Sequence, residues 1–520
     1  MKNCRHQNVL KLLLLTASSV GLAPYLAAQA QPPPGTSAVS PNVSQSVDEL
    51  TSEVRQLKEL VLALQRQAND SRAEIMHLRQ DLEASRAGGS TGEWPGVDEQ
   101  SAAHEGAPQQ LQQRVTQLEE DQQLLSGKVD EQYQTKLESA SKYRVRFSGI
   151  VLFNLFSNSG SVDNFDVPMI AQPPGPLDTS GAVGGTMRQS TLGFEVFGPE
   201  FLGAHTSGNL NLDFGGGFPM VWNGVDSGLA RLRTAALRLD WKNTSLVAGQ
   251  DQLFISPNEP TSYASLIVPP LAYAGNLWAW TPQIRVEHRL PLSNDATVTL
   301  QGGILDPLTG ELPPFEWYRV PSTGERSRAP AIAGRVAYSR PFFGHPFTVG
   351  ASGYYSRQNW GFGRNVNAWA GLMDWNVPLS RKFSLSGLFY RGSALGGLGG
   401  AIGRSVVWNA DLTMPTSSVL PINAVGGWAQ LKYRATPKVE FNAAFGLDNS
   451  FAADVLAFGD LGQSYGDPTL TRNLGGFGNV IYRPRSDLLL SLEYRRLKTY
   501  NIYDSNWAAG QLNLGMGVLF

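Results

Sequence analysis

The last ten residues of the chain alternate between two kinds of side chain. On one parity lie Leu512, Leu514, Met516, Val518 and Phe520, and on the other lie Gln511, Asn513, Gly515, Gly517 and Leu519. A period of two is typical of a β-strand with one face in an apolar medium and small or polar side chains on the opposite face. A soluble sheet could also show this pattern, but here it recurs from Tyr143 to the C-terminus, which favours a membrane barrel.

The recurring period predicts sixteen strands. They fall near residues 143–156, 187–198, 204–214, 230–241, 244–251, 282–291, 296–304, 328–341, 345–357, 366–377, 382–392, 423–434, 437–449, 472–484, 487–500 and 507–520. Tight turns such as Lys242-Asn243 alternate with connections that are mostly longer, as on the two rims of outer-membrane barrels. The expected fold class is therefore an all-β transmembrane barrel of about 16 antiparallel strands over residues 143–520, preceded by an α-helical coiled coil.

Residues 47–86 have a different period. Their apolar side chains recur at alternating steps of three and four: Val47, Leu50, Val54, Leu57, Val61, Leu64, Ala68, Ser71, Ile75, Leu78 and Leu82. This seam predicts a coiled coil and hence a homo-oligomer, because one helix alone could not cover such a stripe. The alternative is a solitary amphipathic helix lying on the barrel. Valine and leucine in the seam favour two strands, Ala68 and Ser71 weaken that preference, and the number of subunits stays open.

The rest of the N-terminal part predicts export. Residues 1–30 have the basic start, the leucine-rich stretch and the Ala28-Gln29-Ala30 end of a cleaved signal peptide. Residues 31–46 and 87–110 have the composition of a disordered and a flexible linker, and residues 111–142 carry a short second coiled-coil seam. We therefore expect a Gram-negative protein of the cell outer membrane, with its coiled coil in the periplasm.

Composition excludes several kinds of chemistry. The formal net charge is −2, so there is no basic field that would attract nucleic acid. The only cysteine, Cys4, lies in the signal peptide, and the histidines of the mature chain have no metal-binding spacing. No cofactor, metal or disulfide is expected. No stretch after the signal peptide approaches the ~18 uninterrupted apolar residues of a membrane helix, so the lipid bilayer would have to be crossed by strands.

The strand face opposite the apolar one is expected to line a water-filled channel, because a barrel of this size is too wide for side chains to fill. This face carries the basic Arg285, Arg289, Arg335, Lys432, Arg434 and Arg495, the acidic Glu287, Glu440, Asp448 and Glu493, and the neutral Gln430 and Asn442. Six basic against four acidic residues predict passive diffusion of small hydrophilic solutes with a mild preference for anions. For any single charge, a solvated position on the rim is an equally good interpretation.

Two features in the first half of the barrel leave alternatives open. Arg231 and Arg233 would add to the basic lining, but they share the parity of Leu237, so they either lie above the membrane or follow a β-bulge. Residues 252–281, between the fifth and sixth strands, are rich in proline and aromatic residues. Such apolar content predicts a loop that folds into the barrel. The alternative is a loop that packs on a neighbouring subunit or over the barrel mouth.

Short motifs in the same half resemble the DcaP-like porins, a family of outer-membrane channels with an N-terminal coiled coil. The similar residues are Arg188-Gln189-Ser190-Thr191-Leu192-Gly193-Phe194, Arg231-Leu232-Arg233, Gly249-Gln250 with Phe254, Pro257 and Pro260, and Pro282-Gln283-Ile284-Arg285. The resemblance implies a trimer of 16-stranded barrels that takes up small, often negatively charged solutes, with Arg231, Arg233 and Arg285 in the channel. Thr234 stands where the family has a histidine, and the later strands match only in pattern.

Two rival functions fit parts of the sequence. A coiled coil before a barrel also describes a structural or adhesive barrel without an open pore, although trimeric adhesins supply only a few strands per chain. The segment Gly462-Gln463-Ser464-Tyr465-Gly466 has the spelling of a hydrolase nucleophile elbow, but no helical pattern follows it. We rank the porin first, the adhesive barrel second and an outer-membrane hydrolase last, and we expect no catalytic residue.

Overall fold

The computed structural model describes residues 144–178, 180–218, 228–292, 295–311, 319–503 and 505–520. The predicted signal peptide (1–30), the linkers (31–46 and 87–110) and the coiled-coil segments (47–86 and 111–142) lie outside the described residues, and those predictions stay as they are. The described part of the chain forms one large antiparallel sheet.

Sixteen strands close this sheet into a barrel. They are β1 (Arg144–Ser159), β2 (Gly181–Thr186 and Thr191–Phe201), β3 (Ala204–Asp213), β4 (Arg231–Asp240), β5 (Thr244–Gln252), β6 (Trp280–Pro291), β7 (Thr297–Leu305), β8 (Ala331–Phe342), β9 (His345–Asn359), β10 (Asn365–Pro378), β11 (Phe383–Ser393), β12 (Asn423–Thr436), β13 (Val439–Ser450), β14 (Leu470–Arg485), β15 (Leu488–Asn501) and β16 (Asn506–Leu519). Each strand pairs with its neighbours in sequence. The barrel closes where β1 pairs with β16, from Ile150 opposite Leu519 to Ser159 opposite Gly510. The prediction of a barrel with about 16 antiparallel strands is confirmed.

β2 differs from the predicted strand 187–198. It begins earlier, at Gly181, and is interrupted at residues 187–190, so that two segments pair in succession with β1. In the interruption the Ser190 N–H donates to the Met187 carbonyl at 3.0 Å, which turns the chain out of the sheet. Arg188, Gln189 and Ser190 are consequently buried inside the barrel. The outward face moves from odd residues such as Val183 before the break to even residues such as Phe194 after it. The pattern of the sequence does not reveal this change, because the first segment consists mostly of small residues.

The two faces of the barrel have opposite character. On the outer face Leu514 pairs in register with Leu155 and Leu492, and all three are exposed. On the inner face of the same strands Asn513, Asn154 and Glu493 are buried. An apolar outer band with a polar interior is the arrangement of barrels that stand in lipid.

The connections on one rim are short. Two-residue turns join β2 to β3 and β8 to β9, and their residues have positive φ: 50° at Leu202 and 75° at Gly203, then 52° at Phe343 and 76° at Gly344. Two successive residues at positive φ form the turn whose twist matches antiparallel strands. Most connections on the opposite rim are longer, and several of them fold into the barrel.

The elements outside the barrel wall are small. Two short ribbons form between Ser161–Val162 and Ala171–Gln172 and between Val406–Trp408 and Val419–Pro421; single 3-10 turns lie at Glu325–Ser327, Gly396–Leu398 and Gly459–Leu461, and one turn of α-helix, α1, at Ala452–Val455. None of the helices in the described residues is long and apolar enough to cross a membrane.

An apolar core fills one side of the barrel interior. Inward-facing side chains of β9 to β12 contribute Tyr354, Leu372, Leu388, Tyr390 and Trp428, and all five are almost fully buried. Two connections pack on them, residues 253–279 and residues 394–408. A barrel of sixteen strands is too wide for its own side chains to fill, so these connections supply the missing volume.

Candidate functional site

Residues 253–279, here called the inward loop, cross the interior from β5 and β6 to the opposite wall. The Thr261 N–H donates to the Gln430 side-chain oxygen on β12, and the Ser262 hydroxyl donates to Glu493 on β15. The Tyr263 carbonyl accepts a hydrogen bond from Asn154 on β1 at 3.0 Å. The prediction that this loop folds into the barrel is confirmed.

The broken strand β2 also holds the inward loop. The side-chain oxygen of Gln189 accepts hydrogen bonds from the Leu266 and Ile267 N–H groups at 2.6 and 3.0 Å, and its amide donates to the Ala264 carbonyl at 3.2 Å. Gln189 is fully buried. One side chain therefore pairs three backbone groups that would otherwise be costly to bury.

Residues 394–408 form a second inward segment, which the sequence did not predict. Its Leu398 carbonyl accepts a hydrogen bond from the Trp278 N–H of the inward loop at 3.0 Å. Arg404 is almost fully buried and donates to the carbonyls of Ala401, Asp467, Pro468 and Leu470 and to the Ser450 hydroxyl. Burial lowers the pKa of Arg404 to about 10, so the guanidinium is charged at neutral pH.

Residues 163–172 form a third inward segment, which the sequence did not predict either. The segment lies against β14 to β16: its Pro168 carbonyl accepts from Arg495 at 3.2 Å, and its Met169 carbonyl accepts from Asn473 at 3.0 Å. Asp166 pairs with Arg188 of the β2 interruption at 2.9 Å. This part of the wall is thus covered from inside.

Five arginines on β4 and β6 lie on the side that these segments cover least, although Arg285, beside the Phe254 ring of the inward loop, is only 9% exposed. We call them the arginine wall; its members are Arg231, Arg233, Arg238, Arg285 and Arg289. Arg231 lies 2.7 Å and Arg233 3.5 Å from Asp213, and both guanidinium groups stack on the ring of Trp280, at 4.9 and 4.6 Å. A carboxylate shared by two cations leaves a local excess of positive charge.

A β-bulge explains how Arg231 and Arg233 both face inward. In the pairing of β3 with β4, Asn211 lies opposite Thr234 and Leu212 opposite Leu232, so Arg233 is the extra residue. The bulge reverses the parity that made the pair look lipid-facing. Of the two alternatives left by the sequence, the bulge is the correct one.

Arg238, Arg285 and Arg289 of the arginine wall form an ion-pair network around Glu287. This carboxylate lies 2.9 Å from Arg285, 3.3 Å from Arg238 and 3.9 Å from Arg289. Arg285 also pairs with Asp251 at 2.8 Å. Each guanidinium is therefore held in one orientation, which an exposed arginine on its own would not be.

The other predicted channel residues also lie on the inner face, but their access to water differs. Arg335 is locked to Asp374 by two hydrogen bonds of 3.0 and 2.7 Å. Near the short-turn rim Glu440 lies 3.2 Å from Lys432 and 3.8 Å from Arg434. Glu493 and Arg495 pair with each other at 2.9 Å, and their side chains are only 1% and 4% exposed because inward segments cover them.

Asp448 is also covered by an inward segment. Its carboxylate accepts hydrogen bonds from the Tyr390 hydroxyl at 2.9 Å and from the Ile402 N–H of the second inward segment at 3.1 Å. The side chain is fully buried. Asp448, Glu493 and Arg495 therefore face the interior, as their parity predicts, yet they hold loops in position and have almost no contact with water.

Comparison with known proteins bears on the fold. No family model and no curated protein sequence matches this chain. Among solved structures, the outer-membrane channel DcaP of Acinetobacter baumannii matches with a TM-score of 0.57 and 16% identity, over 74% of this chain and 100% of that chain. The barrel has the fold of the DcaP-like porins.

Two further solved structures match with lower TM-scores. An anion-selective porin from Comamonas acidovorans has a TM-score of 0.46 and 12% identity, over 73% of this chain and 100% of that chain. OprB of Pseudomonas putida has a TM-score of 0.43 and 12% identity, over 72% of this chain and 94% of that chain.

The short motifs that resemble DcaP-like porins have identifiable structural roles. Arg188-Gln189-Ser190 is the interruption of β2, with Gln189 fixing the inward loop. Gln250 donates from its amide to the carbonyls of Leu232 and Arg233 at 3.1 and 2.9 Å, which pairs the groups that the bulge frees. The motifs therefore shape the interior of the barrel.

The hydrolase motif has the wrong surroundings. Residues 462–466 follow a 3-10 turn and are followed by strand β14, whereas a nucleophile elbow joins a strand to a helix. The Ser464 hydroxyl contacts the Tyr465 carbonyl at 3.5 Å. Within the described ranges no group of His, Cys, Asp and Glu side chains is arranged to hold a metal ion.

Proposed function

We propose that the protein is a porin through which small hydrophilic solutes diffuse passively across the outer membrane, with a mild preference for anions. The uneven filling of the interior supports this function. The apolar core and the third inward segment cover most of β9 to β16, although Arg434 near the short-turn rim is 42% exposed. On the opposite side Arg231, Arg238 and Arg289 keep 29%, 35% and 34% of their side chains exposed. Water would therefore run along the arginine wall.

The placement of the acidic groups supports a weak selectivity. Asp213 is fully buried and Glu287 is 10% exposed, so both lie behind the guanidinium groups that they neutralise. Asp240 and Glu259 remain accessible, however, and reduce the excess of positive charge. A permeating anion would therefore contact the arginines, but the accessible carboxylates would keep the net positive charge of the passage small.

Reversal-potential measurements test this function. In a planar bilayer under a salt gradient, the wild-type protein is expected to conduct in steps and to favour anions. Arg231→Gln/Arg233→Gln is expected to lower the anion-to-cation permeability ratio by about sevenfold per charge removed, because a unit positive charge ~7 Å away attracts an anion and repels a cation by about 0.6 kcal/mol each in water. Arg328→Gln, at an exposed loop position, should leave the ratio unchanged.

The other outcomes separate the rival functions. If the folded barrel does not conduct, the porin is ruled out and the adhesive or structural barrel takes its place. If the protein conducts and the double variant has wild-type selectivity, the passage does not run along the arginine wall.

We also propose a trimer whose coiled coil lies in the periplasm. The heptad seam of residues 47–82 and the resemblance to DcaP-like porins support it. Deletion of residues 47–82 is expected to reduce the oligomer mass measured by light scattering in detergent, because the seam loses its partners. An unchanged mass would mean that the barrels associate without it.

A further inference from the structure

Three cations lie together on the outer face of the barrel wall. Arg472 on β14 and Arg496 and Lys498 on β15 are all exposed, and all have the outward parity of Leu492 and Tyr494. An outward Arg or Lys costs about 2–4 kcal/mol at the middle of a bilayer but only ~0–1 kcal/mol near its surface. The patch lies at the ends of β14 and β15 next to the long connection 451–469, which places it at the level of lipid headgroups.

The three charges converge and remain uncompensated. Arg472 and Lys498 both lie over the ring of Tyr500, at 5.7 and 4.9 Å. Arg496 has a glycine in register on either side, Gly476 on β14 and Gly510 on β16, so no neighbouring side chain shields its guanidinium. Arg472 donates to the Asn449 side chain at 2.9 Å, but in the part of the chain that is described none of the three cations has a carboxylate partner.

An apolar cleft of about 490 Å³ opens on the outer wall of β12 to β16 and extends from near the short-turn rim towards these cations. Ala443 and Gly478 form its floor, and larger side chains such as Phe441, Leu492 and Tyr494 border it. Tyr494 at its border precedes Arg496 by two residues on the same face, so the cation patch lies on the long-loop side of the cleft. Cations above an apolar cleft match an amphipathic ligand with an anionic head and an acyl chain.

We propose that this outer surface binds a phosphorylated glycolipid of the outer leaflet. Arg472, Arg496 and Lys498 bind phosphate, for which the arginine fork offers paired donors. The cleft over Ala443 and Gly478 receives an acyl chain. A glycolipid with two phosphates satisfies three cations better than a phospholipid with one, and the long-loop rim of an outer-membrane barrel faces the outer leaflet. This proposal depends on the outer-membrane location of the protein and not on the passage of solutes through the barrel.

Native mass spectrometry of the full-length protein in detergent tests the proposal, with diphosphorylated lipid A as the probe. The wild-type protein is expected to retain the lipid, and Arg496→Gln/Lys498→Gln to bind it at least about tenfold more weakly. Arg357→Gln is the matched control, because Arg357 is a single outward cation on β9, far from the patch. Gly478→Leu, which fills the cleft, should also weaken binding while every cation remains.

Each other result overturns the proposal. Equal binding by the wild-type protein and the double variant would show that the cations do not bind phosphate. Equal binding of dephosphorylated lipid A would show that only the apolar surface matters. A double variant that keeps its lipid but loses oligomer mass would identify the patch as a contact with a second copy of this chain. Conductance of each variant shows whether the pore is intact, which keeps a failure here separate from a failure of the porin function.

Discussion

Arg404→Met is expected to lower the free energy of unfolding by about 3–5 kcal/mol, because it removes a buried charge on which several groups depend. The substitution removes the side-chain donor of the Ser450 hydroxyl and of four carbonyls, of which the Ala401 carbonyl keeps the backbone N–H of residue 404. It also removes the cation whose field acts on the buried Asp448. Urea titration of the refolded barrel, followed by tryptophan fluorescence, measures the loss.

Conductance and a control variant complete this test. The second inward segment should detach from the wall without Arg404, so the variant is expected to conduct more, and with more noise, than the wild-type protein. Arg381→Met, at an exposed turn position, should match the wild-type protein in both measurements. A stable Arg404→Met barrel with unchanged conductance would contradict the role of Arg404 as an anchor.

Leu514→Arg is expected to destabilise the barrel by about 2–4 kcal/mol, because a charge on the lipid face near the midplane must be desolvated. Leu514 lies between Leu155 and Leu492 in register, well inside the apolar outer band. The yield of heat-modifiable barrel after refolding into vesicles reports the effect. Leu514→Met keeps the site apolar and should refold normally; equal yields for the two variants would show that position 514 does not face lipid.

The barrel could be predicted because period two is local information that every strand repeats. The position of Arg233 could not, because a bulge adds one residue to one strand and reverses the parity only beyond that point. Which residue of β4 is extra depends on its pairing with β3, and the pattern of β4 alone does not show that pairing. For the same reason the interruption before Thr191 could not be predicted.

The covered charges show a second limit. Parity places Glu493 correctly on the inner face, but its burial depends on Ser262, which lies 231 positions away in the chain. Residues 394–408 could have been recognised, since Leu395, Leu398 and Ile402 are as unusual for a free loop as the aromatic residues of the inward loop. The glycines of this segment are typical of a flexible connection, but here they allow close packing: a Cβ at Gly397 would lie 2.3 Å from the Leu308 carbonyl carbon.

The inward loop joins parts of the wall that are far apart around the barrel. It leaves the sheet at β5 and returns at β6, and between them it is hydrogen-bonded to β1, the β2 interruption, β12 and β15. A barrel without internal contacts is easily flattened, whereas a barrel whose distant strands are joined by an internal loop resists flattening. The cross-section of this barrel should therefore change little when the lateral pressure of the surrounding membrane changes.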